Sequence, residues 1–195
     1  MEELVTLTLP HLPLHPLFLS LFTNLENASF LRQQLLDGNQ EFEYAFLDAR
    51  MLLSENHVLA ACFRALNDWQ RGRLRSRNVH SEIVFSLSPN NNIAESFRRF
   101  GISDTTTDLL AIKVSTSSEF TAESVRTHLS QHVQADSVLF SDEAIRRGAD
   151  LARIRKVYKA GGDGGKVNGA AGTGGGAALD GVEGFILGTM ALKGS

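Results

Sequence analysis

The sequence predicts an α/β domain in which one small mixed sheet is flanked by helices. Short apolar runs alternate with amphipathic stretches of helical spacing, and Pro, Gly and Asn clusters punctuate them. The length of 195 residues, 43% of them hydrophobic and 21% charged, suits a single domain spanning 1–195.

The elements follow in order. Leu4 to Leu9 alternates polar with apolar residues and Leu17 to Phe22 is a continuous apolar run, so both read as strands, joined through the proline-punctuated PHLPLHP. Asn27 is placed to cap a helix through Leu36 that Gly38 ends, and Tyr44 to Leu47 is a short strand before Asp48. From Ser54, with Glu55 in the first turn, Val58, Leu59, Cys62, Phe63, Leu66 and Trp69 recur at helical spacing as far as Gly72. Ile83 to Leu87 reads as a strand stopped by SPNNN. Ile93, Phe97 and Phe100 mark a short helix capped by Gly101, and Leu109 to Val114 is a further strand. Thr121 opens a helix with Thr-x-x-Ser, and Ser141 opens another that runs to about Lys159. The stretch AGGDGGKVNGAAGTGGGAA, about 160–178, has almost no large apolar residue to offset the entropy of ordering and reads as a flexible insert. Past it, residues 179–193 bring Leu179, Val182, Ile186 and Met190 onto one helical face, which makes them a docking helix.

Several function classes are disfavoured on composition. The apolar runs are broken well before the roughly 18 to 20 residues of a membrane span, so no membrane partner is expected. MEELVTLTL lacks the basic-then-apolar layout of a secretory signal, and one cysteine excludes an internal disulfide, so the nucleus and cytoplasm are the expected compartments. No cofactor or nucleotide site is indicated. Gly165-Lys166 has Ala160 and Val167 where a phosphate loop needs Gly and Ser or Thr, and GTGGGA follows no strand. His128 and His132 stand four apart on a helix, a spacing that can share a metal, but Leu129 replaces the general base and no third ligand is evident. Cys62 lies on an apolar helix face as a small core residue. With no paired carboxylates or nucleophile motif, the protein reads as a binding protein and not an enzyme.

One feature stands against the faintly acidic net charge of -3: in QRGRLRSRNVHSE, Arg71, Arg73, Arg75 and Arg77 recur at every second position. On a helix this spacing would split the four between two faces, whereas an extended segment, which Gly72 permits, puts them on one side. Two readings stand: cationic stems lying over apolar surface, or guanidinium groups gripping phosphates, with Asn78 and His80 hydrogen-bonding or stacking on an unpaired base.

RSRNVHSEIVFSLSPNNNIAESFRRFGISDTTTDLLAIKV resembles the central segment of the small kinase-binding (TPRKB family) subunit of the KEOPS (EKC) complex, closest to fungal members. The likeness is carried by R-x-R-N-x-x-S-E at Arg75 to Glu82, the apolar Ile83 to Leu87, S-P-x-x-x-I at Ser88 to Ile93, F-G-I at Phe100 to Ile102 and the apolar Leu109 to Val114. EAIRRGADLARIRKVYK and FILGTMALKGS resemble the family's last two helices, and the glycine insert departs from its compact pattern. The resemblance implies a non-catalytic subunit of the assembly that makes threonylcarbamoyladenosine on ANN-decoding tRNAs. In that role it would bind an atypical kinase/ATPase directly and other KEOPS subunits through it, act as an allosteric effector, and hold the tRNA 3′ end. A link to telomeres in fungi adds telomeric chromatin as a location. The kinase interface is expected at Val182, Ile186 and Met190 with Ile154 and Val157, and RNA contacts at Arg71, Arg73, Arg75, Arg77, Asn78 and His80. The competing readings are a stand-alone module for single-stranded RNA or tRNA ends, and a metal-dependent hydrolase using His128 and His132.

Overall fold

Strand β2 (Leu17–Thr23) has no polar face, and the reason is that helices cover it on both sides. A computed structural model of the chain describes residues 3–160 and 175–193. Strands β1 (Val5–Leu7), β2, β3 (Ala45–Asp48), β4 (Leu109–Val114) and β5 (Asp136–Val138) form one sheet in the order β1-β2-β4-β3, with β5 also on β2. Every pairing is antiparallel, so the α/β expectation is met with a sheet that is not mixed among these strands. β1 pairs with Leu17 to Leu19 and β5 with Leu21 to Thr23, so two short strands share one edge of β2.

Side-chain alternation sorts the sheet into two faces. Leu17, Leu19, Leu21, Leu110, Ile112 and Val114 meet helices α2 (Glu55–Gln70), α3 (Val79–Leu87) and α4 (Ile93–Phe100), together with α6 (Asp142–Gly148), α7 (Leu151–Tyr158) and α8 (Gly175–Leu192). Phe18, Phe22, Phe46, Leu109 and Ala111 meet α1 (Ala28–Leu36) and α5 (Ala122–His132). Burying each large apolar side chain contributes about 1.5–3 kcal/mol, so the two-sided packing is what holds the sheet. Among the described residues no helix is long and apolar enough to cross a membrane.

The caps set the helix ends. Ser54 Oγ accepts the His57 N–H, Thr121 and Ser124 close a reciprocal box, and Ser141 accepts from Ala144. Asn27 stands at the N-cap of α1 but bonds elsewhere: its amide donates to His132 O at 2.8 Å and its Oδ1 accepts from Gln134 N at 3.0 Å, stapling α1 to the end of α5.

Three expectations are corrected. Ile83 to Leu87 is not a strand but the second half of α3, a helix buried on nearly every side between α2, α4 and the sheet. All-round burial erases the amphipathic period, leaving a short apolar run that reads like a buried strand. The helix from Ser141 breaks at Ala149, because Asp150 caps a new helix by accepting the Arg153 N–H and itself donates its N–H to Arg50 O at 2.8 Å. Gly101 is the C-cap of α4 as expected, with a φ of −76°, and an added Cβ there would lie 2.7 Å from Phe97 O. The C-terminal helix starts at Gly175, earlier than 179, while 161–174 of the glycine insert lie outside the described residues.

Candidate functional site

The four arginines lie in the non-helical link between α2 and α3. Helix α2 ends where Gly72 takes a φ of +64°, a left-handed value that any other residue would adopt only under strain, and the chain then runs to the cap of α3 without helical hydrogen bonds. Arg71, Arg73, Arg75 and Arg77 are all exposed, while Leu74 and Ser76 between them are half-buried, so the cations share the solvent side. Arg73 is paired to Asp68 at 2.9 Å, and the Arg77 guanidinium lies over Gly38, whose added Cβ would be 3.1 Å away.

A buried carboxylate holds this loop. Glu82 on α3 is 1% exposed, and its Oε2 accepts the N–H of Arg75 at 3.0 Å, the N–H of Ser76 at 2.8 Å and the hydroxyl of Ser76 at 2.5 Å. Charge-assisted bonds of this kind are stronger than neutral ones and replace the water that the carboxylate gave up. Sequence reasoning passed over Glu82; the signal was an acidic residue inside an apolar run.

One of the expected RNA contacts, His80, does not stand with the arginines. His80 is buried, its Nε2 accepting the Val114 N–H at 3.0 Å, and burial together with nearby Lys113 pushes its pKa down to about 3, so its ring is part of the core and cannot stack on a base. Asn78 caps α3, its Oδ1 accepting the Ser81 N–H at 2.8 Å, and it lines the same groove as Arg77.

The loop forms a ridge between two grooves. One, of about 780 Å³, runs between α1, α3 and α4; Tyr44, Phe46 and Phe97 line it, and Arg32, Arg77 and Arg98 bring positive charge. The other, of about 680 Å³, lies between α2, α3 and α8, and Arg73, Arg75 and Lys193 face it. Arg32, Arg98 and Lys193 come from separate elements, so no local motif could have announced them.

Helix α8 packs differently from the expectation. Ile154, Ile186 and Met190 are buried in the protein's own core, and Val157 and Val182 pack partly buried against it. These five lie beneath the surface, while Phe185 and Leu192 on the outer face of α8 are 49% and 73% exposed, and Phe63 of α2 is 44% exposed. The helix is fastened at both ends. Glu183 accepts the Ser54 hydroxyl at 2.6 Å, Arg64 donates to the carbonyls of Met190 and Lys193, and Lys193 Nζ donates to Phe85 O over the Phe85 ring.

The remaining chemistry-bearing groups are occupied structurally. His128 Nδ1 bonds Tyr44 Oη at 3.1 Å and His132 Nδ1–H donates to His128 O at 2.8 Å, with both rings packed on Phe42. Among the described residues no group of three His, Cys, Asp or Glu side chains gathers for a metal. Cys62 is fully buried, which pushes its thiol up to about 12 and keeps it from acting as a nucleophile.

The comparisons with known proteins agree on one family. A family model described as kinase binding protein CGI-121 matches residues 22–194, a span that includes both the arginine loop and α8. The chain is 56% identical over 159 residues to EKC/KEOPS complex subunit cgi121 of Aspergillus fumigatus, covering 81% of this chain and 84% of that protein. It is 57% identical over 160 residues to the subunit of the same name from Aspergillus terreus, 82% of either chain. EKC/KEOPS complex subunit CGI121 of Phaeosphaeria nodorum is 40% identical, covering 99% of this chain and 100% of the other.

Proposed function

The chain belongs to the CGI-121 family of kinase-binding proteins, and from that premise we propose that it is the non-catalytic subunit of an EKC/KEOPS complex that binds the kinase/ATPase subunit and holds the tRNA 3′ end for threonylcarbamoyladenosine formation. It acts on the kinase as an allosteric effector, in the nucleus and cytoplasm and, through the telomere link of fungal complexes, on chromatin. The kinase meets the outer face of α8 at Phe185 and Leu192, with Phe63 of α2 beside it; large apolar side chains this exposed on one surface mark a protein contact.

The observation that carries the RNA part is the arginine loop: four exposed arginines on a non-helical link, in a chain with net charge -3, held by a buried carboxylate. Guanidinium groups grip phosphates bidentately, and the neighbouring groove offers apolar surface from Leu36, Ile93 and Phe97 to unpaired bases. Reversing the charge of Arg71 and Arg77 together is expected to weaken tRNA binding at least tenfold and to reduce the slope of log affinity against log salt by about 1.4, the value for two single-strand phosphate contacts. Kinase binding should be unchanged, since neither residue lines the groove beside α8. Filter binding across a salt series reads this, and an unchanged slope would return the loop to a solvated surface feature.

A further inference from the structure

We propose that the groove between α2, α3 and α8 receives an acidic side chain of the protein partner, its carboxylate seated between the Lys193 ammonium and the Arg75 guanidinium. The proposal rests on the reading of the α8 face as the partner face and adds the chemistry that the partner must bring.

Lys193 is the observation that demands an occupant. It is 6% exposed, yet no carboxylate lies within ion-pair distance among the described residues. An ammonium has three donors; Lys193 spends one on Phe85 O and sits over the Phe85 ring, and its side chain lines the groove. An ammonium so buried without a counter-ion is a strained arrangement, and burial with Arg64 nearby pushes its pKa down to about 7, Glu82 opposing in part.

The charges around it select the ligand. From α2, Arg64 is spent on the carbonyls of α8, while Asp68 pairs with Arg64 at 3.9 Å and with Arg73 at 2.9 Å. From α3, the Glu82 carboxylate is held by the loop N–H groups. This leaves Arg75 and Lys193 as the cations without a carboxylate among the described residues, a surplus suited to one negative charge. A dianionic phosphate would meet repulsion from Asp68 and Glu82 twice over. The walls beside the two cations include apolar side chains, Phe63, Phe85, Leu187 and Met190, with Phe63 itself 44% exposed. An aliphatic stem ending in a carboxylate fits that sequence of surfaces; a sugar-phosphate backbone does not.

The test uses the full chain and the purified kinase/ATPase subunit, with titration calorimetry from pH 6 to 8.5. Lys193→Met keeps the volume of the side chain and removes a buried charge together with the donor to Phe85 O, so circular dichroism and the thermal midpoint are read on the same sample. The variant is expected to lose at least tenfold in kinase affinity at pH 6.5 with an undiminished thermal midpoint. In the wild type, binding a carboxylate favours the protonated lysine, so affinity is flat below about pH 7 and falls by up to tenfold per pH unit above it. Lys193→Arg, charged throughout, removes that fall. Wild-type affinity in Lys193→Met, while Phe185→Asp abolishes binding, would overturn the groove proposal and leave the partner face standing; wild-type affinity in both would overturn both. A loss of tRNA binding with unchanged kinase binding in Lys193→Met would reassign the groove to a phosphate and overturn the protein occupant.

Discussion

Glu82 shows how one residue can tie a functional loop to the core. Its carboxylate accepts three hydrogen bonds from Arg75 and Ser76 while lying in the interior of α3, so the arginine loop has a fixed foot although its side chains are in water. Glu82→Gln keeps the shape but replaces one carboxylate oxygen by an amide that cannot accept, and it removes the charge that strengthens the bonds. The expected outcome is a stability loss of about 1–3 kcal/mol by urea unfolding, together with weaker tRNA binding, without loss of helix content. Unchanged stability and tRNA affinity would mean that the loop holds its form without this anchor. The same scale separates what the sequence could and could not reveal. The alternation of arginines with Leu74 and Ser76 was legible because side chains of an extended segment alternate sides. The burial of His80 was not, since only the packing of α3 under β4 decides that its imidazole faces Val114.

At the scale of elements, helices with one wet face were readable and buried ones were not. Helix α2 spans Glu55–Gln70 as its apolar spacing and Ser54 cap foretell, whereas α3 has no wet face to mark its period and reads as a strand. The strand β5 escaped notice because three residues carry too little pattern. Helix α8 is the element whose reading changes most: its apolar stripe exists, but it is spent internally, with Ile186 and Met190 in the core and Phe185 and Leu192 outward. Ile186→Glu therefore acts on folding before it acts on binding. A carboxylate forced into the site of a fully buried isoleucine either ionises at a cost of several kcal/mol or expels the helix. Expulsion would release the Arg64, Glu183 and Lys193 fastenings together. The variant is expected to show a lower thermal midpoint and rapid proteolysis near α8, while Phe185→Asp retains the wild-type midpoint. Equal midpoints for the two variants would place Ile186 at the surface and restore it to the partner interface.

Across the whole molecule, four bases are taken into the interior, and their signs agree. Burial pushes His57 down to about 4 and His80 to about 3, from 6.5. It also pushes Lys113 down to about 8 and Lys193 to about 7, from 10.5. His57 accepts the Leu53 N–H at Nδ1, which leaves Nε2–H to donate to Tyr158 Oη at 2.8 Å, and Tyr158 in turn donates to Leu87 O, a chain that requires the neutral ring. Between the folded and unfolded values of each base the unfolded chain binds more protons, so stability rises with pH in that window. The histidines thus withdraw on the order of 3 kcal/mol each as pH falls from 6.5 to about 4, a large fraction of a typical domain's stability. The lysines act upward of pH 7, adding stability as the folded forms lose protons that the unfolded chain keeps until 10.5. The opposite sign enters near pH 9, where an unfolded Cys62 thiol ionises while the buried one, pushed up to about 12, does not, and buried Tyr158 follows above pH 10. The thermal midpoint is therefore expected to climb from pH 5 to a maximum near pH 10, where the two lysine gains end and the Cys62 and Tyr158 losses take over, above the usual optimum for a protein of this kind. Calorimetry at constant ionic strength reads it, and Lys193→Met should flatten the climb above pH 7 while leaving the acid limb alone. A plateau centred at pH 6 to 7 in the wild type, with no difference in the variant, would mean that water reaches these bases in the folded protein.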